Sequence, residues 1–166
     1  MRIPVECDVA KGHYYRGYIL DEFIQLEMAI NDYIVSYLLK KDGKMTFNEA
    51  FTKIQKMTFS KKGNYFGSIL DILEAKNDSL ITSLLSEVKL LIGIRNDFAH
   101  DYLIAVLPLE NKAELGKVIY LAKFKYGFEV ISYSEKELCD LFTRINNAEK
   151  KVIDFKKKLT LSNSKK

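Results

Sequence analysis

The sequence predicts a mainly α protein, a small bundle of four to five helices carrying one β-hairpin at about residues 117–132. Three observations lead there. Long stretches place apolar residues at three- and four-residue steps, the repeat of a helix with one buried face. Two capping boxes, Thr46 to Glu49 and Ser134 to Glu137, mark helix starts where side chains and free amides satisfy each other. One region breaks the helical pattern: "KVIYLAKF" and "FEVIS" are β-rich runs on either side of a Gly-containing turn.

The first helix is expected from about Tyr15 to Lys40, with Leu20, Phe23, Leu26, Ile30, Tyr33, Tyr37 and Leu38 on its buried face. Gly43 is its natural stop. A second, shorter helix follows the Thr46 box and carries Phe47, Phe51, Ile54 and Met57. "SKKGNYFG" reads as a loop and "SILDILEA" as a short helix. Asn77 or Asp78 can cap the next helix, which runs from about Ser79 to Tyr102. Its stripe is Leu80, Leu84, Val88, Leu91, Ile94 and Phe98, and Pro108 lies beyond its end. A lone hairpin is marginal, so the one at 117–132 must pack on helices or a partner. The last helix carries Leu138, Leu141, Ile145, Ala148, Val152, Phe155 and Leu159, and residues 162–166 read as a disordered tail.

With 166 residues, 48% hydrophobic and 29% charged, the chain is expected to form one soluble domain, residues 1–161. No apolar run approaches the roughly 20 residues of a membrane span. The opening "MRIPVECDVAKG" has acidic residues where a signal peptide has an apolar core, so a cytoplasmic location is expected. Cys7 and Cys139 are read as free thiols. Two histidines and no cysteine pair make neither a zinc site nor any other metal centre, and no cofactor is expected. A net charge of +4 permits a nucleic-acid partner without demanding one.

The chemistry gathers in "IGIRNDFAHDYL", which holds one of four arginines and one of two histidines. Residues four apart on a helix sit above one another, so Asn96 and His100 share a face and Asp97 lies beside them. Arg95 is offset from His100 by about 140°, within reach of a long side chain. Such a set suits attack on a phosphodiester. An imidazole moves protons near neutral pH, and a guanidinium holds a phosphate through two parallel bonds. With no metal-ligand cluster in the sequence, an RNA 2′-hydroxyl is the natural nucleophile, already tethered beside the phosphorus. The plainer interpretation is a helix end favoured by a histidine at its negative pole. Glu27 falls on the apolar face of the first helix. It either takes Arg95 or Arg16 as its cation or reaches solvent from the edge of that face. His13 and the lysine run 156–158 read as surface.

"IRNDFAH" resembles the signature of the HEPN superfamily: an Arg, four to six residues, then a His, often with Asn directly after the Arg. "YRGYILDEFIQLEMAINDYI" is similar to the first helix of the mannitol operon repressor branch, where Arg-Gly precedes a Leu-Asp-Glu run. The resemblance spans about residues 15–103 and the final helix; the hairpin lies outside the minimal pattern. It implies an up-and-down HEPN-like bundle that pairs as a homodimer with the two motifs facing each other. It also implies a metal-independent ribonuclease of a toxin or phage-defence system. Arg95 would contact the phosphate, His100 would move protons, and Asn96 would orient the RNA or the histidine; Asp97 and Glu27, placed by helix position and not by the resemblance, are expected to support them. RNA and a cognate antitoxin or regulatory protein are the partners implied. The repressor-like branch implies an alternative, a non-catalytic regulator or interaction module that uses the same motif structurally.

Overall fold

A computed structural model describes residues 3–4, 9–73, 79–103, 106–107, 119–123 and 129–161. The fold is mainly α, as expected, with a small antiparallel sheet. In chain order the described elements are β1 (Ile3–Pro4), α1 (Val9–Lys41), α2 (Phe47–Gln55), α3 (Phe59–Leu73), α4 (Ser79–His100), β2 (Tyr102–Leu103), β3 (Val106–Leu107), β4 (Ile119–Lys123), β5 (Glu129–Tyr133) and α5 (Glu135–Leu161). They belong to two compact units, residues 1–23 with 93–144 and residues 24–92 with 145–166.

In the first unit β4 is the centre of a three-stranded sheet of order β2-β4-β5, and β1 pairs separately with β3. The predicted hairpin is there, with Leu121 opposite Ile131. Its strands are 119–123 and 129–133, against expected runs of 117–124 and 128–132, and the expected Gly-containing turn lies outside the described residues. The third strand, β2, was not expected. Two residues directly after a helix carry no period, yet Leu103 pairs with Leu121. Being central explains the composition of β4: Ile119, Tyr120, Leu121 and Ala122 are all buried, so the strand reads as an unbroken apolar run. Ser134 then starts α5 with the predicted box, its amide and hydroxyl donating to Glu137 Oε2 at 2.7 Å each. Leu138 and Leu141 face inward.

In the second unit α1 buries a broad face that includes Tyr33, Ile34, Val35 and Tyr37, while Gln25, Asp32 and Lys40 stay exposed on the other side. The first helix thus begins about six residues earlier than expected, at Val9, and ends as expected near Lys40. Beyond that end the Asp42 carboxylate accepts from the Lys44 amide at 3.2 Å, a local turn that competes with further helix. Thr46 and Glu49 form the capping box at the start of α2, where Ala50 and Ile54 are buried and Phe47 is exposed. In α4 the stripe starts one residue later than predicted, because Leu80 is 66% exposed and Ile81 is buried. The proposed caps Asn77 and Asp78 lie outside the described residues, as do Pro108, Cys7 and the tail 162–166. Cys139 is free and exposed. All the predicted apolar positions of α5 are buried.

The loop expected at "SKKGNYFG" is instead the body of α3. Thr58 caps it, its hydroxyl accepting from the Lys61 amide at 3.3 Å. The two glycines looked like loop residues but serve close packing. A Cβ on Gly63 would stand 2.5 Å from Ile92 Cδ1, and one on Gly67 would stand 3.4 Å from Leu85 Cδ2. Small residues one turn apart thus let α3 and α4 approach.

Lys62, in the same segment, is the buried cation that Glu27 was expected to require. Its Nζ lies 2.5 Å from Glu27 Oε1, so neither Arg95 nor Arg16 is the partner. Lys62→Met is expected to cost about 2–3 kcal/mol, somewhat below the roughly 3–5 of a fully buried pair, because Glu27 keeps some solvent contact. Adding Glu27→Gln should recover most of that loss in a denaturant titration. A cost below about 0.5 kcal/mol for Lys62→Met would place the pair with ordinary surface bridges.

Among the described residues no helix is long and apolar enough to cross a membrane.

Candidate functional site

The motif occupies the last turns of α4, where four carbonyls have no partner within the helix. The Asp101 amide closes one bond back to Asp97 O at 3.0 Å. Arg16, from α1, caps two more. Its Nε donates to Phe98 O at 2.7 Å and its Nη2 to Ala99 O at 3.3 Å. A guanidinium here also neutralises the negative pole of the helix. The sequence offered Arg16 as a counter-ion for Glu27 and as part of the first-helix resemblance, not as a helix cap. A cap from another element leaves no local spacing signal.

Phe98 fixes the rotation of this turn. It is fully buried, and its ring meets that of Tyr133 on β5 at 5.0 Å. Arg95 and Asn96 are then half-buried and His100 is exposed. Arg95 Nη1 donates to Asn96 Oδ1 at 3.4 Å, so the guanidinium and amide lie side by side. Asp97 does not turn to His100 as its partner. It binds Lys123 on β4, with Oδ1 2.7 Å from Nζ. Glu27 belongs to the Lys62 pair described above, so its expected supporting role at Arg95 is not met.

Two groups beside the motif were missed by sequence reading. Lys123 Nζ also stands 4.0 Å from Asp101 Oδ2, a buried oxygen that makes no hydrogen bond. Burial and the neighbouring Asp97 charge push the Asp101 carboxyl above the usual range, and Lys123 only partly offsets them. Burial works against the charge of Lys123, but the hydrogen bond and charge of Asp97 outweigh it, so its pKa is raised. The Tyr133 phenol is pushed up to about 12, by burial first and then by Asp97, Glu137 and Asp101. It therefore stays neutral at physiological pH.

The result is a helix end with a guanidinium, an amide and an exposed imidazole, braced from beneath by Arg16, Lys123 and Tyr133. Chemically it can hold an anion and exchange one proton. Comparisons with models of known protein families, with curated proteins and with solved structures found nothing that matches this chain.

Proposed function

We propose that the chain is a HEPN-type, metal-independent RNA endonuclease of the toxin or phage-defence kind, acting as a cytoplasmic homodimer with Arg95, Asn96 and His100 at the dimer interface. The observation that carries this reading is the disposition of those three residues. Arg95 and Asn96 touch each other on a helix end whose Phe98 and Ala99 carbonyls are already taken by Arg16, and His100 stands exposed one turn on.

In this mechanism Arg95 holds the scissile phosphate and stabilises the charge that builds on it. His100 removes the 2′-hydroxyl proton, the 2′-oxygen attacks phosphorus, and the bond to the 5′-oxygen breaks. His100 of the partner subunit protonates that leaving oxygen, since a single imidazole cannot serve both faces at once. A cognate antitoxin or regulatory protein would restrain such an activity.

A second reading, a repressor-like interaction module, is favoured by one observation. Asp97, the Phe98 ring and the carbonyls of Phe98 and Ala99 all have structural partners, so much of the motif also holds α4 in place.

The test is incubation of the purified protein with mixed tRNA and mRNA in EDTA. Fragments ending in 2′,3′-cyclic phosphate are expected. Intact RNA under these conditions, together with a dimer weakened by His100→Ala, would transfer the motif to the second reading.

A further inference from the structure

The second unit concentrates the positive charge of the chain. Residues 40–61 and 149–158 together hold eleven of the 26 Lys and Arg residues but four of the 22 Asp and Glu. They stand at +7 and the rest of the chain at −3, which the overall +4 conceals. The two segments meet in space. The C-terminal parts of α1 and α5 are tied together where Lys40 Nζ donates to Leu159 O at 3.3 Å and Lys156 pairs with Asp32 at 3.0 Å. From there the turn 42–46 leads into α2, and residues 56–58 lead on to α3.

Two features set this face apart from a merely solvated one. Lys44, Lys56 and Lys61 are exposed and make no ion pair among the described residues, so the chain itself does not neutralise them. Of the two acids nearby, Asp42 accepts from the Lys44 amide and Glu49 from Thr46. In addition, Phe47 is 56% exposed and lies nearly parallel to Phe51, with ring centres 5.7 Å apart and planes 12° apart. The buried side of α2 is made by Ala50 and Ile54, so Phe47 holds no place in the core.

We propose that the turn 42–46, α2 and the start of α3 form a binding surface for single-stranded RNA, with the lysines on its phosphates and Phe47 under a base. The proposal goes beyond the endonuclease reading, because it requires no cleavage.

A single strand presents a phosphate chain together with the flat faces of unpaired bases. Lysines answer the first and an exposed ring the second, the combination on which sequence-tolerant single-strand binding relies. The two kinds of residue are interleaved here, as Lys41, Lys44, Phe47, Phe51, Lys53 and Lys56. An acidic protein would use the lysines and leave Phe47 without a role. A lipid surface demands a wider apolar face, and Phe47 is the one exposed large apolar side chain of residues 40–61. Neither segment contains an arginine, so the guanidinium forks that read base edges are missing and binding is indifferent to sequence.

The test uses the full chain carrying His100→Ala, so that bound RNA stays intact. It reads the fluorescence anisotropy of a labelled oligouridine of about 12 nucleotides, within the usual span of such sites. The same strand annealed to oligoadenosine, and vesicles of phosphatidylserine and phosphatidylcholine, are the comparison probes. The single strand is expected to bind more tightly than the duplex, with a logarithmic salt slope of about −3. Lys44→Gln, Lys56→Gln and Lys61→Gln together should weaken it at least about tenfold and remove about two units of that slope. Phe47→Ala should weaken the single strand at least about fivefold and leave the duplex unchanged. All four side chains are exposed, so the melting curves should coincide with that of the parent. No binding of the single strand at low salt, or binding that the triple variant leaves unchanged, overturns the surface. So does equal affinity for strand and duplex that Phe47→Ala leaves untouched, the behaviour of lysines without a stacking site. Vesicle binding lost in the triple variant while RNA binding persists assigns the lysines to lipid and overturns it as well. Cleavage is not read, so failure of the endonuclease reading changes none of these outcomes.

Discussion

Replacing His100 by Ala is expected to lower RNA cleavage by about 10²–10⁴-fold, the contribution of a positioned acid–base group. The fold should be untouched. The ring is exposed at the end of α4, and the cap there is made by Arg16 to the carbonyls of Phe98 and Ala99, not by the imidazole. Loss of rate can thus be separated from loss of structure by comparing melting curves of the two proteins. In a dimer with one imidazole from each chain, both proton transfers fail together, which argues for the upper part of the range. Cleavage by the variant at the parental rate would exclude His100 from the chemistry.

Phe98→Ala carries the largest structural effect. A fully buried phenylalanine removed from a packed core costs about 3–5 kcal/mol. For a chain of this length that corresponds to roughly 10 °C in melting temperature. The cost is large because the ring is wholly shielded from water and has a specific partner, Tyr133 at 5.0 Å. Phe98→Leu should retain most of the stability, since it keeps the apolar volume and loses only the aromatic contact. A denaturation midpoint unchanged in Phe98→Ala would mean that this turn of α4 is not anchored to the sheet.

The helices were legible wherever burial follows a helical period. α5 shows this best, with every predicted position from Leu138 to Leu159 buried. Its capping box at Ser134 was equally plain, because all its parts lie within four residues. α3 failed for a reason that periodicity cannot detect. Gly63 and Gly67 look like breakers until the opposing Ile92 and Leu85 are known, and buried Lys62 looks like surface until Glu27 is found beside it. For Glu27 the sequence pointed to the right kind of partner and the wrong residue, because a cation 35 positions away leaves no spacing to read. The candidate site divides in the same way. Arg95, Asn96, Asp97 and His100 stand together on one helix and could be named from it. Arg16, Lys123 and Asp101 take their roles from neighbours that only the fold supplies.

The cap made by Arg16 also sets an order of events. Its two bonds join residues 82 and 83 positions apart, so they close a long loop and cannot form while the chain is only locally helical. Most of α4 can wind by itself, but its final turn is completed only when the N-terminal part of α1 arrives. The turn that carries position 100 therefore gains this cap only with the tertiary structure, and a chain trimmed of its first 16 residues would keep the motif's contacts to the sheet but lose the cap.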